Sequence, residues 1–313
     1  IMTQKRLLSA VLFLLIALIS FAHAQEAPAQ DRSGLLAPGV CTLPIDFSAG
    51  MPIRQECYLS DTEYFDPTIH VTLSKGRYQE TNNYWMARIS IADASQLRTG
   101  AGNDFQSWIT KEGKRMATHF NAVLAIDGDY FFYDKGYGYV LRQGNVIFNK
   151  LRGEKDVLLI DEDGDFHIIR RARQGDVTDM RIEGKRILNS FCFGPALVID
   201  GEMITDFDGA DSWLNLAKDY ERQRIAFCQV GPLHYRVICC SGPYTNSNQL
   251  KSTGLTLADF TRLVAEQNVQ TAYNLDGGDS SLLYFHGRRV NEKPNQSMRK
   301  LQDVIYFVSA EGL

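Results

Sequence analysis

The residues best equipped for chemistry stand in one stretch, Tyr273-Asn-Leu-Asp-Gly-Gly-Asp-Ser-Ser281, followed by Leu282-Leu-Tyr-Phe285. Asp276 ends an apolar run, where burial can tune a carboxyl for acid–base or nucleophilic work. Gly277 and Gly278 strip side chains from the backbone, so their N–H groups can approach an oxyanion. Ser280 and Ser281 add two hydroxyls. Carboxylate, bare amides and hydroxyls together suit a small anionic or sugar-like ligand. The competing reading is a hairpin, because Asp-Gly between apolar runs is a common turn signal. A second stretch, Ala125-Ile-Asp-Gly-Asp-Tyr-Phe131, repeats this chemistry with Asp127 and Asp129. Its Tyr130 could stack on a sugar face, although an aromatic in the core is the commoner case.

Positioning these residues requires strands that end at them. Ala122–Ile126 and Ala272–Leu275 are short apolar runs that stop at Asp127 and Asp276. Ahead of the first, Phe105, Trp108, Ile109, Met116 and Phe120 fall at helical spacing, with Gly113 weakening the middle. Ahead of the second, Thr256 to Asp259 matches a capping box, and Leu257, Phe260, Leu263 and Val264 give an apolar helical face. Helix, strand and Asp-Gly loop thus occur twice. Ligands favour the carboxyl ends of strands covered by helices, so the two loops could face one cleft.

Elsewhere the chain reads as β-rich. Tyr84–Ile91 alternates, with Trp85, Ala87, Ile89 and Ile91 on one face. Val157–Ile160, the turn Asp161–Asp165 and Phe166–Ile169 form a hairpin signature. Phe191–Ile199, Arg224–Val230 and Tyr235–Cys239 read as further strands. The acids at 161–165 and Asp206, Asp208 and Asp211 invite a calcium reading. Neither run has the downstream Glu of an EF-hand, and both read as turns.

The 313 residues are 44% hydrophobic and 22% charged, an ordinary globular profile. Lys5 and Arg6 precede an apolar run, Leu7–Phe21, and Ala22-His-Ala24 is a small-x-small site. Residues 1–24 therefore read as a secretory signal peptide cut near Ala24-Gln25, with no stable membrane anchor afterwards. An uncleaved anchor is the alternative. Removing Lys5 and Arg6 with this leader takes 33 basic residues to 31 against 37 acidic, and the net charge from −4 to −6. No basic stripe offers a surface to nucleic acid. All six cysteines lie after the leader, which in an oxidising compartment favours disulfides, Cys41–Cys57 being the local pair.

At this point the residues carry a resemblance. AIDGDYF (125–131), FGPALVIDG (193–201), RIAF (224–227), GLTLADF (254–260), NLDGGDSS (274–281) and RKLQDVIYFV (299–308) resemble, in order, the phosphodiester glycosidase family. The resemblance covers about residues 80–309. It implies an α+β fold, a mixed, largely antiparallel curved sheet with packed helices. The expected organisation is a single domain plus an N-terminal arm: signal peptide 1–24, lead-in and disulfide-stapled arm 25–79, catalytic domain 80–313. The family commonly has Asn where this chain has Asp127, and often a third Gly at Asp279.

The implied substrate is a phosphorylated glycan or other sugar-1-phosphodiester, cleaved at the anomeric C–O bond. Such a reaction must hold the phosphate, stabilise an oxocarbenium-like centre and activate water. Phosphate is a weakly basic leaving group, so charge stabilisation matters more than strong acid help. Asp276 is the expected acid/base or nucleophile and Asp129 the second carboxylate, with Asp127 able to replace it. Arg224 and Arg299 match the family's arginines and would bind phosphate bidentately. Gly277, Gly278, Ser280, Ser281, Asp127 and Tyr130 complete the expected binding set. No cofactor is required, and ligand spacing does not support a metal. The rivals are a metal-dependent phosphodiesterase cleaving P–O, and a non-catalytic glycan-binding protein with the same cleft.

Overall fold

Alternating apolar residues build the central strands. Asn82–Ile91 presents Trp85, Ala87, Ile89 and Ile91 to one core, as its alternation predicts. It lies near the middle of a nine-stranded antiparallel sheet. In spatial order this runs Tyr58–Ser60, Glu63–Asp66, Ile69–Tyr78, Asn82–Ile91, His234–Cys240, Ile225–Gly231, Thr271–Leu275, Ala196–Ile199 and Glu202–Met203. A five-stranded sheet runs Arg288–Arg289, Leu283–Phe285, Leu124–Asp127, Asp303–Phe307 and Leu97–Ala101. The computed structural model describes residues 30–38, 42–80, 82–105, 109–129, 138–177, 180–207, 218–244, 252–291 and 299–312. Arg32–Leu313 forms one compact unit. The expected signal peptide lies outside the described residues.

The two sheets share a core in which Val237, Tyr273 and Leu275 meet Ile126, Leu283 and Phe307. A four-stranded sheet containing Lys155–Asp161 and Phe166–Ala172 closes it with Leu158, Ile160 and Phe166. Tyr273 is fully buried, and its hydroxyl donates to the carbonyls of Asp156 (2.6 Å) and Phe191 (3.0 Å). That pairing satisfies a polar group whose burial would otherwise cost about 1–3 kcal/mol.

The α+β expectation is corrected. Strands dominate, and among the described residues there are two short α-helices: α1, Gly113–His119, of 7 residues, and α2, Leu257–Ala265, of 9. Of the residues read into a helix from Phe105 onwards, Trp108 lies outside the described residues, Phe105 and Ile109 are not helical, and the helix begins at Gly113. Phe105 has φ +61°, and Lys111 makes a β-bridge to Leu301. Gly113, the presumed weak point, is the first residue of α1. A Cβ there would lie 2.4 Å from the Leu282 side chain, so the site takes glycine for close packing. Helix α2 begins as its capping signal predicts, Thr256 Oγ1 accepting the Asp259 N–H at 3.1 Å. Its Leu257, Phe260, Leu263 and Val264 cover the outer face of the nine-stranded sheet over Ala226, Ile238 and Ala272.

The 157–169 hairpin forms, pairing Phe166 with Ile160. In its turn, Asp161 Oδ1 accepts the N–H groups of Asp163 and Asp165, and Lys185 Nζ reaches Asp161, Asp163 and Asp165 at 3.0–3.6 Å. A lysine ammonium therefore neutralises these acids. Asp206 pairs with Arg171 at 2.6 Å, while Asp208 and Asp211 lie outside the described residues. Residues 191–199 are not one strand. Lys185–Phe191 and Ala196–Ile199 belong to different sheets. Cys57, Cys192, Cys228, Cys239 and Cys240 are free, buried thiols. Cys41, the expected partner of Cys57, lies outside the described residues.

Candidate active site

The Asp276 loop joins the two large sheets. Thr271–Leu275 ends in the nine-stranded sheet, and the chain re-enters at Leu283–Phe285 in the five-stranded sheet, so the loop is a crossover and not a hairpin. Gly277 passes so close to the 223–224 backbone that a Cβ would lie 2.4 Å from the Gln223 carbonyl oxygen. Gly278 has φ +61° and donates its N–H to that same carbonyl at 2.9 Å. A 3-10 turn, Gly278–Ser280, then carries the chain inward, burying Ser280 and Ser281.

The second Asp-Gly loop lies against this crossover. Asp127 Oδ1 accepts the N–H of Leu282 at 2.8 Å. Asp127 Oδ2 and Ser281 Oγ are buried and make no hydrogen bond within the protein, leaving two polar atoms for a ligand. Gly128 sits on Asp303: its N–H donates to the Asp303 carbonyl at 3.2 Å, and a Cβ would lie 2.2 Å from Asp303 Oδ1. Asp129 is fixed from three directions. Its N–H donates to Asp303 Oδ1 at 3.0 Å, its Oδ2 accepts the Cys192 N–H at 2.9 Å, and Arg142 Nη2 stands 3.8 Å from the same oxygen.

Arg142 and Asp303 form the fully buried anchor of this arrangement, with Nε to Oδ2 at 2.7 Å. Arg142 also donates to the Leu141 and Ser190 carbonyls and lies over the Phe191 ring at 4.4 Å. Burial raises the Asp303 carboxyl above its ordinary range, and the Arg142 charge opposes that rise.

Asp276 keeps 13% of its side chain exposed. Burial pushes its carboxyl up to about 6, opposed by a hydrogen bond from Ser280 and the Arg299 charge and assisted by the Asp129 charge. Arg299 Nη1 lies 3.6 Å from Asp276 Oδ2 and 3.3 Å from Ser280 Oγ. Burial also raises Asp127 well above the ordinary carboxyl range; the Leu282 N–H opposes the rise, and the Asp276 charge adds to it. The carboxyls therefore feel one another as one electrostatic site. An acid poised near neutrality beside a second carboxylate and a partly exposed guanidinium can transfer a proton next to a bound anion.

The structure brings together Asp276, Asp127, Asp129, Ser280, Ser281 and Arg299. It places two other expected groups differently. The Gly277 N–H serves the Asp276 carboxylate and the Gly278 N–H serves Gln223, so both amides already have acceptors. Arg224 passes the loop with its backbone, but its buried guanidinium donates to the carbonyls of Leu255 (2.8 Å) and Tyr220 (2.9 Å). Burial lowers that guanidinium to about 10. Tyr130 lies outside the described residues. Arg142, Asp303 and Cys192 were not singled out from the sequence. The signal available for Asp303 was an acid opening the apolar run Val304–Val308. Among the described residues, no three His, Cys, Asp or Glu side chains converge on an ion position.

Comparison with known proteins adds the family relationship. A family model for phosphodiester glycosidase matches residues 120–308, a span that contains every residue of this cluster. The fold is similar to the catalytic domain of zebrafish N-acetylglucosamine-1-phosphodiester alpha-N-acetylglucosaminidase, auto-inhibited by its pro-peptide. That likeness has a TM-score of 0.60 at 15% identity, over 85% of this chain and 97% of that one. A hypothetical protein from Synechocystis is similar with a TM-score of 0.50 at 14% identity, over 77% of this chain and 62% of that one. No curated protein matches the chain by sequence.

Proposed function

The chain belongs to the phosphodiester glycosidase family, and on that premise we propose that it is a secreted hydrolase of sugar-1-phosphodiesters. It cleaves the anomeric C–O bond and releases a free sugar and a phosphomonoester. The observation that carries this reading is Asp276. It is a carboxyl raised to about 6, with Arg299 3.6 Å away and the Asp129 charge acting on it. Arg299 is partly exposed and can meet the phosphate, while Asp276 handles the proton. The held carboxylate of Asp129 offers negative charge to an oxocarbenium-like centre. Asp127 Oδ2 and Ser281 Oγ offer polar contacts to sugar hydroxyls.

The zebrafish protein is named for action on an N-acetylglucosamine-1-phosphodiester, and an α-N-acetylglucosaminyl phosphodiester is the substrate to try first. Secretion rests on the leader-like residues 1–24. Among the described residues, no helix is long and apolar enough to cross a membrane. The test is release of reducing sugar from that phosphodiester by the purified chain, with Asp276→Asn as control. Release by wild type, with a loss of about a hundredfold or more in the variant, supports the reading. Binding without turnover by wild type would instead favour a glycan-binding protein.

A further inference from the structure

Away from the candidate active site, the nine-stranded sheet has an outer face that α2 covers only in part. Strand alternation sends Trp85, Ala87 and Ile89 into the core shared with the five-stranded sheet, so Met86, Arg88 and Ser90 face outward. Across the next strand Arg236 stands directly opposite Arg88, and His234 opposite Ser90. On the other side Thr72 stands opposite Arg88. Arg88 is exposed and donates to Ser74 Oγ at 3.4 Å, and Ser90 Oγ bonds His234 Nδ1 at 2.8 Å. Arg236 is half-buried; burial, then the Arg88 charge, lowers its guanidinium. Among the described residues, neither guanidinium forms an ion pair with a carboxylate.

Like charges directly opposite on a sheet destabilise it. A chain with a net charge of −4 has acids in excess with which to neutralise such a pair, yet here two arginines face each other among hydroxyls. We propose that Arg88 and Arg236, flanked by Ser74, Thr72 and Ser90, form a binding site for a tetrahedral oxyanion, a phosphate or sulfate ester. Two guanidiniums supply paired N–H donors in the fork geometry that such oxyanions accept, and the bound anion offsets their mutual repulsion. The site shares no residue with the hydrolytic one: Arg88 and Arg236 stand on paired strands within the nine-stranded sheet, whereas Asp276 stands in the crossover that leaves Thr271–Leu275.

The probe is inorganic phosphate, compared with chloride at equal ionic strength, and the readout is the melting temperature of the full chain. At about tenfold excess over Kd, phosphate is expected to raise the wild-type melting temperature by about 2–4 °C. The rise is also read in R299Q, which lacks the arginine proposed to meet phosphate in the active site; it persists there and is lost when R88Q or R236Q is added. In chloride, each of R88Q and R236Q melts above wild type, because each removes the like-charge contact. A rise retained in R299Q/R88Q and R299Q/R236Q, or absent from wild type, overturns the proposal. Loss of the rise in R299Q alone also overturns it and places the anion in the candidate active site.

Discussion

Replacing Asp276 by Asn is expected to remove activity while adding stability, with a gain that depends on pH. The folded carboxyl sits at about 6 against an ordinary 3.8. Below about pH 4 it is protonated in both folded and unfolded chains and contributes nothing. Between 3.8 and 6 the unfolded chain releases this proton first, so ionisation favours unfolding. Above 6 the whole penalty is present, about 3 kcal/mol at 1.36 kcal/mol per pH unit. Asn carries no such penalty, but it accepts less strongly from the Gly277 N–H and no longer pairs with Arg299. The net gain is therefore about 1–3 kcal/mol at neutral pH, shrinking to about zero near pH 4. Urea denaturation of both proteins at several pH values between these limits measures the difference directly. A difference independent of pH, or one in which the variant loses ground as pH rises, would refute the reasoning, because the fold would then favour the carboxylate.

Three further outcomes follow from the same geometry. Arg299 holds the Asp276 carboxyl down, so Arg299→Gln is expected to move the limb of kcat/KM near pH 6 to higher pH and to weaken phosphodiester binding; a pH–rate profile checks both. Asp303→Asn leaves the buried Arg142 charge without its partner and is expected to cost about 3–5 kcal/mol, read by chemical denaturation, with activity falling as Asp129 loses its support. Asp127 is raised well above the ordinary carboxyl range, so Asp127→Asn is expected to melt at neutral pH no lower than wild type; a fall of several degrees would show that the carboxylate form is required.

What could be read from the sequence was local. Alternation over Tyr84–Ile91 located the strand Asn82–Ile91, the turn residues located the 157–169 hairpin, and Thr256 located the start of α2. The helical spacing from Phe105 to Phe120 misled because a bridge to Leu301, nearly two hundred residues along the chain, claims Lys111. The Asp276 loop carries a hairpin's residue types, yet its flanking strands pair in different sheets. No local pattern encodes that choice. Both Asp-Gly loops were legible as chemistry, whereas the Arg142–Asp303 anchor was not, since its partners are 161 residues apart. Arg224 shows the opposite case, a motif arginine whose guanidinium donates to the backbone carbonyls of Leu255 and Tyr220.

The central claim is that water attacks the sugar and not the phosphorus. Hydrolysis of a sugar-1-phosphodiester in ¹⁸O-labelled water, with both products examined by mass spectrometry, tests it directly. Cleavage of the anomeric C–O bond predicts label in the free sugar and none in the phosphomonoester. Label in the phosphomonoester, with unlabelled sugar, would contradict the account and assign P–O cleavage to this site.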